Sequence, residues 1–167
     1  MNTGQMLITI GAIMLLSLVI MRVNSSFMTT TTIMSDSKYG LLGISLASSI
    51  IEEASSKAFD EATVEVSVTD SNSFTKYYYL GKETGEVYPE FDDFDDYNNY
   101  TRSTANDSTM KSAVFNISCA VCYVLPPNLN TVYNKQTWHK RISVTVTSPS
   151  LEDTIRMSSI YSYWYFR

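Results

Sequence analysis

Five of the seven residues from Glu90 to Asp96 are acidic, interleaved with Phe91 and Phe94. Carboxylates at this density are the donor set of a hard cation such as Ca²⁺, with Asp92, Asp93, Asp95 and Asp96 as candidate ligands. The spacing is not that of an EF-hand, which needs Gly at its sixth position and Glu at its twelfth. The reading favoured here is a solvated acidic turn, which Phe91, Phe94 and Tyr97 pin to the body at every third residue. Cys119 and Cys122 form a CxxC, but a redox pair sits at a helix start and a c-type haem needs His next, where this chain has Tyr123. In a regular strand, residues three apart face opposite ways and lie about 10 Å apart. That is beyond the reach of a disulfide, about 7 Å between Cα atoms. Cys119 therefore reads as a small buried hydrophobe, and a Cys119–Cys122 bond would need a bulge.

Other chemistry is thinner. Gly43-Ile44-Ser45-Leu46-Ala47 lacks the last glycine of a GxSxG elbow and falls in a helical pattern. His139 has no evident carboxylate or thiol partner, and there is no glycine-rich phosphate loop. No catalytic residue and no cofactor is expected. Asn99 and Asn106 head sequons in the acidic loop and are the candidate glycan sites. The closing aromatics Tyr161, Tyr163, Trp164 and Tyr165 read as cross-strand pairs. The chain carries 17 acidic and 12 basic residues for a net charge of −5. That balance argues against a nucleic-acid partner, which requires a basic face.

The elements that must position these residues begin with an uncharged run, Met6–Met21. It is short against the roughly 20 residues of a membrane span and long against the 7–15 of a secretory signal core. Its apolar residues cover every side of a helix, so it must be buried in protein or dissolved in lipid. The polar, β-branched stretch 23–32 is a poor helix former, and Thr29–Thr32 is where the helix would loosen. From Ser35, the residues Tyr39, Leu42, Leu46, Ala47, Ile50, Ala54 and Ala58 recur at spacings of three and four, an amphipathic helix over 35–60. Alternation then predicts an antiparallel sheet over 63–167, with strands at 63–69, 76–80, 113–125, 141–148 and 154–166. Tyr39, Leu42, Leu46 and Ile50 are the expected contacts of that helix with the sheet. The fold class is α+β. Residues 1–34 form the hydrophobic segment and 35–167 the folded body.

A hydrophobic N-terminal helix, its amphipathic continuation and a small antiparallel sheet resemble the type IV pilin and pseudopilin superfamily. FDDFDDYNNYTR (91–102) is similar to the acidic-aromatic loop of that family. KRISVTVTSPS (140–150) and IRMSSIYSYW (155–164) are similar to its closing strands. The resemblance implies a structural subunit that waits in the inner membrane and is then packed, with copies of itself, into an extracellular filament by pilus assembly machinery. The filament core would be built from Gln5, Met6, Leu7, Ile8, Thr9, Ile10, Ile13, Leu15, Leu16, Leu18, Val19 and Ile20. Family members are cut after a glycine and carry Glu five residues into the mature chain. A cut between Gly4 and Gln5 places Thr9 at that position, and a chain beginning at Met1 places Gln5 there. Either way a neutral side chain stands where the family has a carboxylate. The alternatives are a single-pass anchor carrying a β-rich surface or binding domain, a minor pseudopilin of a secretion system, and a cleaved secretory signal.

Overall fold

The computed structural model describes residues 2–107 and 113–163. The chain forms one long helix, α1 (Thr3–Ser55), and four strands: β1 (Thr101–Ser103), β2 (Asn116–Tyr123), β3 (His139–Thr147) and β4 (Ile155–Ser162). The strands lie in the order β1-β2-β3-β4, each antiparallel to the next. This is the expected α+β arrangement of a helix packed on an antiparallel sheet. Contacts divide the chain into two units, residues 1–38 and 39–167.

Unit 1–38 is helical from Thr3, including Thr29–Thr32, the part expected to loosen. The reason is visible in the hydroxyls. Thr29, Thr30, Thr31 and Thr32 donate to the carbonyls of Ser25, Ser26, Phe27 and Met28, each four residues back. Thr9 and Ser17 likewise donate to Met6 and Ile13. Local side-chain bonds of this kind let threonine sit in a helix with its polar group satisfied.

In unit 39–167 the amphipathic part of α1 buries Gly43, Ala47, Ile50 and Ala54. Tyr39, Leu42 and Leu46 pack against the same core, as their spacing predicts. The small residues set the approach. A Cβ on Gly43 would come within 2.5 Å of the Ile155 side chain, which marks where helix and sheet meet most closely. From the sheet, Phe115, Ile117, Cys119 and Val121 face inward, together with Ile142, Val144 and Val146 of β3. Phe91, Phe94 and Tyr97 complete the core, so the aromatics of the acidic loop pin it as expected.

Three expectations need correction. The helix stops at Ser55, short of residue 60. Ala58 instead pairs with the acidic loop: its amide donates to the Asp92 carbonyl, and the Phe94 amide donates to the Ala58 carbonyl. The 63–69 alternation is not a strand. Asp60 caps a short 3₁₀ turn, Glu61–Thr63, Val64 and Val66 stay exposed, and the Val68 amide donates to the Tyr163 hydroxyl rather than to a ladder. The 76–80 segment is a turn, closed by the Tyr79 amide on the Lys76 carbonyl, with Tyr77 and Tyr78 edge to face, Tyr78 and Tyr79 tilted together, and all three exposed. Alternation makes a strand only where an unpaired sheet edge is beside it. Expected strand ends beyond Tyr163, with Trp164 and Tyr165, lie outside the described residues.

Candidate functional site

Three features carry chemistry: the surface of α1 in unit 1–38, a buried ion cluster in unit 39–167, and a group of carboxylates beside it.

The α1 surface is apolar and uncovered within its own unit. Met6, Leu7, Ile8, Ile10, Ile13, Leu15, Leu16, Leu18, Val19 and Ile20 are 44–74% exposed. This is the one helix among the described residues long and apolar enough to cross a membrane. Gln5, like Gly4, is helical, and its amide donates to the Asn2 carbonyl.

The buried cluster centres on Lys140. This residue shares the parity of Ile142, Val144 and Val146 on β3, so the pleat turns it inward, and it is 0% exposed. Its ammonium donates to the Phe59 carbonyl at 2.8 Å, to Asp60 Oδ2 at 2.7 Å and to Asp95 Oδ1. Its three protons thus have three acceptors. The rings of Phe59 and Tyr123 flank it, with centroids 4.7 and 5.4 Å from Nζ. Asp60 also accepts from the Thr75 and Ala62 amides, and the Tyr123 hydroxyl donates to Asp60 Oδ2 at 3.1 Å. Burial alone would raise the Asp60 carboxyl. The Lys140 charge and the amide bonds outweigh it and hold Asp60 below its ordinary value. Asp95 goes the other way, because burial and the nearby Asp60 charge outweigh Lys140.

The acidic loop is therefore not a solvated turn. Asp93, Asp95 and Asp96 are buried, and Asp92 stays exposed. Ahead of the 3₁₀ turn Asp95–Tyr97, Asp93 Oδ1 accepts from the Asp95 and Asp96 amides at 2.7 and 3.1 Å. Burial and the Asp95 charge push the Asp93 carboxyl up to about 9, so it is protonated in the fold at neutral pH.

The four aspartates named as the weaker, cation-binding alternative do not form a cluster with one another among the described residues. Only Asp96 joins a cluster, and its partners are Glu83 and Glu86, which the sequence reading did not single out. The signal was the turn between them. Gly85 has φ 108°, the left-handed region that glycine tolerates, and it folds Glu86 back so that its carboxylate accepts from the Glu83 amide at 3.0 Å. Burial, then the contact with Glu86, raises the Glu83 carboxyl to about 8. Burial raises Asp96 to about 6.

The cysteines are both free, so the Cys119–Cys122 bond is not formed. Cys119 points into the core, where burial raises its thiol to about 12. Cys122 faces outward, and the Arg141 guanidinium donates to its sulfur at 3.6 Å. The strand is regular there, with no bulge to bring them together. Asn99 and Asn106 are exposed, Asn99 at φ 63°. His139 contacts its cross-strand neighbour Ser162, Nδ1 to Oγ 2.7 Å.

No family model, curated protein or solved structure matches this chain.

Proposed function

We propose that this protein is a structural, non-enzymatic subunit of an extracellular, type IV pilus-like filament, polymerising with copies of itself through the apolar part of α1. The observation that carries the reading is the chemistry of that helix surface. From Met6 to Met34 it presents exposed Leu, Ile, Met, Val and Phe, and the intervening Ser and Thr hydroxyls named above are turned back onto the helix. Such a helix has its backbone satisfied internally and can pass from lipid into a bundle of like helices. The reading is supported by the continuity of that segment, in one helix, with an α+β body. The inner membrane would hold the subunit before assembly machinery extracts it.

The test is electron microscopy of the cell surface together with the intact mass of the native chain. Wild-type cells should bear filaments containing the protein, and a chain lacking residues 6–21 should be soluble, monomeric and filament-free. Filaments that survive the deletion would sink the proposal. The mass also reports whether residues 1–4 are removed.

A further inference from the structure

We infer that Glu83, Glu86 and Asp96 form a binding site for a divalent cation of the Ca²⁺ class. One carboxylate oxygen from each lies within 4.8 Å of those of the other two. Ca²⁺ binds oxygen at about 2.3–2.6 Å, so two ligands on opposite sides of the ion are up to about 5 Å apart. The cluster therefore spans the right distance without rearrangement. Mg²⁺, at about 2.0–2.1 Å, demands near-ideal octahedral geometry and gives up its waters reluctantly, so it is the poorer match.

An acidic cluster alone would carry nothing, because acidic groups gather at many surfaces. The decisive observation is Asp96. Its side chain is 1% exposed, yet Oδ1 has no hydrogen-bond partner, while Oδ2 accepts from the Asp92 and Asp93 amides at 3.1 and 3.2 Å. The two amides fix the carboxylate, and the free oxygen is left toward the two glutamates. Glu83 Oε2 is likewise buried without a partner. Two such orphaned oxygens facing a third carboxylate are costly unless a proton or cation lies between them. Among the described residues, no basic side chain is ion-paired to any of the three. All the donors are carboxylate oxygens, with no thiol or imidazole, which favours a hard cation over Zn²⁺ or Cu²⁺.

The surroundings fit. Glu83 and Glu86 are held by their own turn, and the Asn98 side-chain Nδ2 donates to the Leu80 carbonyl at 2.8 Å, tying that turn to the loop bearing Asp96. Asp96 also borders a cleft of about 620 Å³, together with Tyr78, Tyr88, Asn98 and Tyr100. Binding would lock residues 80–98 onto the body, a consequence independent of polymerisation.

The test is thermal unfolding of the full chain in detergent micelles, in 1 mM chelator, Ca²⁺ or Mg²⁺. With Ca²⁺ in about hundredfold excess over its Kd, Tm should rise by roughly 5–10 °C, and Mg²⁺ should do less. Glu83→Gln and Glu86→Gln should each remove most of the shift. In chelator, Glu83→Gln should melt close to wild type, since the neutral amide keeps the side chain's size and can donate to Glu86, and this keeps the result readable if Glu86→Gln folds poorly. Asp92→Asn, on the exposed neighbour, should keep the full shift. A wild type indifferent to Ca²⁺ overturns the inference. So does a shift that persists in both glutamine variants, or one as large with Mg²⁺.

Discussion

At the scale of single residues, the interior of unit 39–167 is held by one cation surrounded by acids in different protonation states. Asp60 is ionised against Lys140, while Asp93 is neutral. These assignments make opposite predictions for two conservative substitutions. Lys140→Met leaves Asp60 and Asp95 buried without their counter-ion and should cost about 3–5 kcal/mol. Asp93→Asn resembles the protonated form already present and keeps an oxygen to accept from the Asp95 and Asp96 amides, so it should cost less than about 1 kcal/mol at neutral pH. Chemical denaturation of the two variants checks both. The same assignments give the pH dependence. Asp93 and Glu83 have folded values raised to about 9 and 8, from 3.8 and 4.5. Folding therefore takes up protons above the ordinary carboxylate range. The stability they contribute is complete below about pH 4 and is lost as pH rises through 8 to 9. Asp60 is depressed, so its contribution is present above 3.8 and lost as pH falls below that. The urea midpoint in chelator should be highest near pH 5 and fall steadily toward pH 9, and Asp93→Asn should flatten the alkaline side. A midpoint that rises toward pH 9 would contradict the neutral Asp93.

At the scale of elements, Gly43 is the point where α1 can come close to the sheet. Replacing it with Leu should force the helix away from Ile155, Phe115 and Val146 and destabilise the body by about 1–3 kcal/mol, measured by thermal or urea unfolding. Gly43→Ala should cost less, because the nearest atom is the flexible tip of Ile155 and alanine favours helix. The contrast shows which elements the sequence made legible. Helix face and inner strand faces were readable because periods of 3.6 and 2 are set by backbone geometry, so Leu42, Leu46 and Ile50 and the Val residues of β3 fell where expected. The 63–69 alternation misled because a strand also requires a neighbour, and pairing is not written in local pattern. Asp60 and Thr63 closed a capping box there and turned the chain instead. The threonine run misled in the other direction, since propensity undervalues hydroxyls that find carbonyls on their own helix. The acidic loop was the largest gap. Five acids in seven residues read as solvent-facing, and only tertiary placement shows that Lys140, from across the sheet, draws Asp95 inside. The parity of Lys140 with Ile142 and Val144 was the available clue. Glu83 and Glu86 gave no periodic signal, because a turn brings them to Asp96.

At the scale of the whole molecule, the apolar part of α1 separates a filament subunit from a simple anchor, because lipid and a helix bundle make different demands on the same surface. Lipid asks only that side chains be apolar. A bundle of neighbouring subunits asks that they fit, since close-packed interiors lose dispersion contacts wherever a gap opens. Leu15, Leu16 and Leu18 are 60–66% exposed, so truncating them removes little packing in the monomer. Changing all three to Ala keeps an apolar, strongly helical segment that still partitions into membrane. In a filament, each truncated leucine leaves a cavity worth about 2–5 kcal/mol when neighbours cannot close it, and every subunit repeats the loss. The triple variant should therefore stay in the membrane fraction, with the melting temperature of the body unchanged, and form no filaments. The volume-conserving exchange of the same leucines to isoleucine should assemble. Membrane fractionation and electron microscopy on the same cells read both quantities. If the protein serves only as an anchor, the alanine variant will behave as wild type by both measures.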